Sequence, residues 1–355
     1  MIQIAGQVLL TFVMTATLLM VLRRPAVQAG LVDKPTSRKR HGRPVPLIGG
    51  ICIILGFFTG ILPAELGLRD YQALFTGMTL LLIVGVVDDL IDVRPGYKFG
   101  FQTIAAFLLS VWGGLLVTDL GYLFGYQWYI ELGLLALPFT LLCVVGLTNA
   151  INMFDGLDGL ASGTTAVALG WLTLAGFLGE ADKWPLLSGL LLTAVLAFLV
   201  FNARNPWRRR AASFLGDSGS MVLGFALAWF CIEAATGSEA VLPPIAIGWI
   251  LALPVMDALI LMGRRILRGQ TPFRADREHL HHTLSRAGFT HGQSVFILVL
   301  SSFILGGTGS LAALAGAPEW LLTVGLIPIA LCHIAFHARA WRVAAFIRRK
   351  RYSKT

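Results

Sequence analysis

Eleven apolar runs, each close to membrane-spanning length, limit this chain more than any other feature. A run of about 20 apolar residues crosses the hydrocarbon core as a helix, and a helix satisfies its backbone polar groups within one segment. A membrane β-barrel would show shorter, alternating segments instead. Runs near 2–22, 46–63, 71–87, 99–117, 130–150, 160–178, 185–201, 217–235, 241–262, 293–312 and 319–338 predict an all-α, polytopic membrane protein with eleven spans. Composition agrees: 56% of residues are hydrophobic and 13% charged, against about 25% charged in soluble domains.

The distribution of charge tests the count. If alternate loops share a side, segments 23–45, 88–98, 202–216, 263–292 and 339–355 hold 26 of the 28 basic residues, leaving only Arg69 and Lys183 elsewhere. Because Lys and Arg mark cytoplasmic loops, this predicts a periplasmic N-terminus and a cytoplasmic C-terminus. The first run lacks a basic lead and a cleavage site, and Arg23 and Arg24 follow it, so it is expected to be a retained span and not a secretory signal. Cys52, Cys143, Cys231 and Cys332 stand singly in apolar runs, which predicts neither a disulfide framework nor a CxxC metal site. With no repeats and no low-complexity linker, residues 1–355 are expected to form a single integral membrane domain. Topology and attraction to anionic lipid account for most of the basic inner face, and a phosphate-rich substrate would use the remainder. No nucleic-acid partner is expected.

Five polar clusters interrupt the hydrocarbon, and all fall on the predicted cytoplasmic side. Asp33-Lys34-Pro35 with Arg38, Lys39, Arg40, His41 and Arg43 leads into the Pro- and Gly-rich entrance of the second run. Asp88 and Asp89 close the third run, with Asp92, Arg94 and Lys98 after them. Adjacent carboxylates at a membrane surface need a cation or a shared proton, and an all-oxygen site suits Mg²⁺ or Mn²⁺. In Asn149-Ala150-Ile151-Asn152-Met153-Phe154-Asp155-Gly156-Leu157-Asp158-Gly159, the polar side chains recur every three residues and share a face if the run ends as a helix, which Gly156 and Gly159 then break. Gly216-Asp217-Ser218-Gly219 spells a serine-protease motif, but here Asp217 opens a membrane helix, a comfortable place for a carboxylate that holds a metal. Last come Arg274, Arg277, His279, His281 and His282. With no Cys and no clear carboxylate to complete a zinc shell, their guanidinium and imidazole donors fit phosphate oxygens.

Carboxylates and basic groups on one face imply a metal-bridged diphosphate and phosphoryl transfer, a reaction that asks for positioning and charge neutralisation more than covalent help. At a membrane boundary one partner is expected to be lipid and the other a soluble nucleotide. Those motifs, DKPTSRKRHGRPVPLIGG, VDDLID, NAINMFDGLDGLA, FLGDSGS and PFRADREHLHHTLSRAGF in that order, resemble the polyprenyl-phosphate N-acetylhexosamine-1-phosphate transferases from Asp33 to about Gln293. The last motif is most similar to the branch that loads GlcNAc-1-phosphate from UDP-GlcNAc onto undecaprenyl phosphate, the first step of common-antigen and O-antigen synthesis. The phospho-MurNAc-pentapeptide and other hexosamine branches are the alternatives.

The resemblance implies an active site on the cytoplasmic face of the bacterial inner membrane, built from loops 23–45, 88–98, 149–163, 202–217 and 263–292. It implies Asp217 and Asn152 on the catalytic Mg²⁺, and Asp158 in the glycine-broken loop with Gly156, reading the uracil. Asp88 and Asp89 would serve the acceptor phosphate, Lys98 would neutralise phosphate charge, and Arg277, His279, His281 and His282 would lie over the donor. Asp155 either organises the metal site or acts on the acceptor. Membrane lipid is a further partner, and a homodimer is compatible with the reading. The rival class, a secondary transporter, expects its acids at the bilayer midplane, whereas these sit at helix ends.

Overall fold

The computed structural model describes residues 2–33, 44–64, 67–204, 210–271 and 278–339, with Arg208, Arg342 and Ala345. It forms α1 (Ile2–Val21), α2 (Arg23–Gln28), α3 (Gly49–Ile61), α4 (Gln72–Ile91), α5 (Pro95–Phe107), α6 (Ala136–Phe154) and α7 (Leu160–Leu178). These are followed by α8 (Trp184–Asn202), α9 (Gly216–Thr236), α10 (Pro244–Ile250), α11 (Ala252–Leu267), α12 (Leu280–Arg286), α13 (His291–Leu314) and α14 (Glu319–Ala338). Two small antiparallel hairpins complete the described residues. In one, β1 (Val32–Asp33) pairs with β2 (Val45–Pro46); in the other, β3 (Asp119–Gly121) pairs with β4 (Ile130–Glu131).

The protein is therefore an all-α polytopic membrane protein, and each of the eleven apolar runs carries helix. Eight described helices are long and apolar enough to cross a bilayer. The other three runs differ. The run at 241–262 is broken into α10 and α11, which meet at 83°. Pro254 in the first turn of α11 explains the break, since it has no N–H to give the carbonyl four residues back. The run at 46–63 yields only the 13 residues of α3, because its first residue, Pro46, pairs in β2 and the helix starts at Gly49. The run at 99–117 starts earlier, with Pro95 in the first turn, and passes through a π-helical turn at Leu108–Trp112 before the helix ends. All four cysteines are free.

Helix α9 is the centre. Nearly all of it is buried, and it packs against α3, α4, α6 and α7. Its first turn is clasped between two glycines, Gly50 on α3 and Gly85 on α4; a Cβ at either would overlap backbone atoms of Ser218 or Gly219. Such backbone contact is how small residues bring helices together in lipid. On the flank, Gly56 and Gly60 of α3 seat Thr15 and Thr11 of α1. The hydroxyls of Thr11, Thr15, Ser110, Thr140 and Thr148 donate to carbonyls four residues back, so none meets hydrocarbon unpaired.

Alanine is the better helix former by about 1 kcal/mol, but overpacking a tight contact costs about 1–3 kcal/mol. Gly85→Ala is therefore expected to lower the thermal unfolding midpoint of the detergent-solubilised protein, while Gly100→Ala, which faces open space on α5, leaves it unchanged or raises it. A Gly85→Ala midpoint at or above the parent's would refute the clasp.

Candidate active site

The first turn of α9 presents backbone N–H groups with no intrahelical partner, and Asp89 at the end of α4 takes them. Its Oδ1 accepts from Asp217 N at 2.8 Å; its Oδ2 accepts from Ser218 Oγ at 2.8 Å and Ser218 N at 3.2 Å. Gly216 makes this approach possible: its φ is +77°, and a Cβ there would meet the Asp89 carboxylate. The resemblance gives Asp89 to the acceptor phosphate; in the structure both its oxygens accept from the first turn of α9.

Asp88, one residue earlier and about 100° around the helix, faces elsewhere. The chain leaves α4 through Asp92 in the left-handed region (φ 54°), and Val93 N then donates to Asp88 Oδ1 at 2.8 Å. That turn starts α5 and brings Lys98 back over the carboxylates. Lys98 Nζ lies 2.8 Å from Asp88 Oδ2 and 3.3 Å from Asp217 Oδ2. Asn152, near the end of α6, donates from Nδ2 to Asp217 Oδ1 at 2.7 Å and to Ser220 Oγ at 2.8 Å. One turn earlier Asn149 donates to Gln102 Oε1 at 2.6 Å. The structure thus joins Asp88, Lys98, Asn152 and Asp217, which lie up to 129 residues apart in the chain. Asp88 is almost fully enclosed, while the side chain of Asp217 is 37% exposed. The carboxylate oxygens of Asp88 and Asp217 are the donors a hard divalent cation prefers.

The loop between α6 and α7 leads away from this cluster. Asp155 ends α6, its N–H bonded to Asn152 O at 3.2 Å. Gly156 lies against the ring of His281, which a Cβ there would strike. Asp158 Oδ2 pairs with Arg204 Nε at 2.6 Å and lies 4.0 Å from His291 Nε2. Gly159, at φ +86°, gives its N–H to Asn202 Oδ1 at 2.6 Å, and Asn202 Nδ2 donates to Ser213 O at 2.9 Å. Ser213 Oγ in turn donates to Pro46 O at 3.2 Å, beside the entrance to α3.

The three histidines form a row on the turn into α12. His279 and His281 stack at 5.7 Å, and His282 tilts against His281 at 4.2 Å. His279 Nδ1 is anchored on Asp257 Oδ2 at 2.7 Å. Burial, and then the neighbouring His282 and His279, hold the His281 imidazole down at about 3, so it is a neutral hydrogen-bonding group at working pH.

With this geometry in view, residues 71–235 match the glycosyl transferase family 4 profile. Along 95% of its length the chain is 33% identical to the undecaprenyl-phosphate alpha-N-acetylglucosaminyl 1-phosphate transferase of Escherichia coli K12, covering 92% of that protein. The chain belongs to glycosyl transferase family 4. Proteins of the same name from Yersinia pestis and Pasteurella multocida are 32% and 33% identical, over 95% and 97% of this chain and 92% and 96% of theirs.

For this family member, the sequence motifs named most of the side chains that meet, but not all. In the sequence Arg204 reads as a topological charge and Asn202 belongs to no motif, although the polar run Asn202-Ala203-Arg204-Asn205 after a long apolar helix is a visible signal. Asp257 had no visible partner in sequence. Arg274, Arg277 and residues 34–43 lie outside the described residues.

The low His281 value has a thermodynamic consequence. Its folded pKa lies below the ordinary value near 6.5, so between pH 6.5 and 3 the unfolded chain binds a proton the folded one refuses, and stability falls as pH drops through that window. His281→Asn should flatten the fall in unfolding midpoint from pH 6.5 to 4 relative to the parent; an unchanged slope would contradict the buried, neutral assignment.

Proposed function

We propose that this chain transfers GlcNAc-1-phosphate from UDP-GlcNAc to undecaprenyl phosphate, giving undecaprenyl-diphosphate-GlcNAc and UMP, as the first membrane step in building a surface polysaccharide. The observation that carries this is the Asp88–Lys98–Asp217–Asn152 cluster at helix ends, in a chain that aligns over 95% of its length with proteins bearing that activity as their name. In the same reading, residues 1–355 are one transferase unit with eleven crossings, the N-terminus in the periplasm, and the site and C-terminus on the cytoplasmic side of the inner membrane.

An apolar groove supports a lipid acceptor. Phe99 and Thr103 of α5, Leu142 and Val145 of α6, and Ala258 and Met262 of α11 line a space of about 210 Å³ that reaches Asn149. Asn149 is one helical turn from Asn152, so a chain lying in the groove ends beside the carboxylates. Helix α11, beyond the 83° bend, supplies its third wall.

Donor and acceptor bring negative charge to one place, and the residues answer it. Lys98, already shared by Asp88 and Asp217, neutralises phosphate oxygens. A phosphomonoester has its second pKa near about 6, so the acceptor arrives largely dianionic and asks little of a base; Asp88 can take the remaining proton. An acceptor oxygen attacks the β-phosphorus, the bond from that phosphorus to the bridging oxygen breaks, and UMP departs with the bridging oxygen. Asp89 keeps Asp217 aimed. Asp158, with Arg204, offers a polar edge for the uracil, and the neutral His281 with His279 and His282 covers the diphosphate as hydrogen-bond partners. Asp155 joins the two halves. Asp217 and Asn152 would hold a Mg²⁺ ion, or Mn²⁺, whose contribution is to offset diphosphate charge.

Purified protein given UDP-GlcNAc and undecaprenyl phosphate should release UMP only when both are present, lose activity on chelation and regain it with Mg²⁺. Asp217→Asn and Asp89→Asn should each cut turnover by orders of magnitude while membrane insertion stays intact. Failure to release UMP with any nucleotide sugar overturns the reading, and near-normal rates in these variants remove the metal and positioning roles.

A further inference from the structure

Behind the histidine row, outside the carboxylate cluster, four buried side chains meet: Asp257 of α11, His279 at the entrance of α12, and His333 and His337 of α14. Asp257 Oδ1 lies 3.0 Å from His337 Nε2 and 3.9 Å from His333 Nε2. Its Oδ2 faces His279 Nδ1 at 2.7 Å, and Leu280 N donates to Oδ1 at 3.1 Å. His333 and His337 are four residues apart, on one face of α14, with rings stacked 5.0 Å apart at 8°. One ligand atom from each of Asp257, His333 and His337 lies within 4.8 Å of the others. Among the described residues, His333 Nε2 is buried with no hydrogen-bond partner.

We propose that Asp257, His333 and His337 bind a transition-metal ion of the Zn²⁺ class, with His279 as the hydrogen-bond partner of the ligating carboxylate.

The donor set selects the ion. Two imidazoles and one carboxylate suit Zn²⁺ and its borderline neighbours and are poor for Mg²⁺, so this site is chemically distinct from the oxygen donors around Asp217. Zinc bonds of about 2.0–2.1 Å in a tetrahedron set donors roughly 3.3–3.5 Å apart. The observed 3.0 and 3.9 Å separations from Asp257 Oδ1 straddle that range. Two imidazoles one helical turn apart are a recurrent way to present a pair of metal ligands. Asp257 meets the further requirement that a ligating carboxylate be held by its own hydrogen bonds, here from His279 and Leu280.

Charge balance points the same way. Asp257 is a fully enclosed carboxylate, and such a group needs a countercharge. Arg264 and Arg268 are committed elsewhere. Arg264 spends Nη1 on the His337 carbonyl and Nη2 on Glu278, which also pairs with Arg268. A divalent cation on Asp257 would satisfy the carboxylate and the partnerless His333 nitrogen together; a proton shared within the cluster is the competing source of charge. Because His279 belongs to the row that reaches Gly156, an ion here would tie α11 and α14 to the loop over the active site. The inference rests on the cluster alone and stands apart from the transferase reading.

The test uses the full chain, purified in detergent, stripped with a chelator and titrated with Co²⁺. A four- or five-coordinate site with imidazole ligands absorbs strongly in the visible, whereas a six-coordinate oxygen site does not. We expect one equivalent of Co²⁺ with a visible band, displaced by Zn²⁺ and retained in Asp217→Asn. His333→Gln and His337→Gln should each weaken binding by at least about tenfold, and His279→Gln by about 10–100-fold, as for loss of a supporting hydrogen bond. X-ray absorption of the Zn²⁺-loaded wild type, which is independent of how the variants fold, should show two imidazole ligands. No visible band in the wild type, an equal band in the histidine variants, or a zinc spectrum without imidazole would each overturn the site and leave a proton-shared cluster.

Discussion

The hydrogen bonds from the first turn of α9 to Asp89 are the interaction on which the rest of the structure depends. A helix that begins deep in a bundle has N–H groups that lipid cannot satisfy and the helix itself cannot use. Asp89 supplies an acceptor from a neighbouring helix, and its charge sits favourably at the positive end of the helix dipole. Gly50, Gly85 and Gly216 allow the backbones to come close enough for this to happen. The result is that Asp217, next in line, has a fixed position between Lys98 of α5 and Asn152 of α6.

From that fixed point, the loop between α6 and α7 spreads the site sideways. In a few residues it passes from Asn152 at the carboxylates to Gly156 under His281 and Asp158 at Arg204. Asn202 anchors the far end of the loop and, through Ser213, ties it to the entrance of α3. Positioning of this kind comes from buried amide and hydroxyl groups in a low-dielectric interior, where each bond is costly to lose. These groups carry no charge and make no motif, so little in the sequence draws attention to them.

The departures from expectation have local causes. A hydropathy run reports how apolar a segment is and says little about whether it is straight, so the bend between α10 and α11 escaped it even though Pro254 stood in the open. The short α3 reflects backbone pairing by Val45 and Pro46, a contact with β1 that no periodicity encodes. In the sequence no Cys and no clear carboxylate completes a zinc shell around the histidine row; in the fold Asp257, 22 residues before His279, meets both His279 and His337 of α14.

The sequence by itself determined that the chain is a helical membrane protein and that its carboxylates, amides and histidines gather at helix ends. It could do so because spanning length, glycine breaks and helix-end polarity are local properties with a physical signature in the residues alone. Only the tertiary structure decided how the work is divided. Asp88 and Asp89 are indistinguishable neighbours in the sequence, yet the helix turns one toward Lys98 and the other toward α9, because successive residues point about 100° apart and meet different helices. Which partner each carboxylate finds depends on helix packing across more than a hundred residues, and that packing is fixed by the shape of the whole bundle.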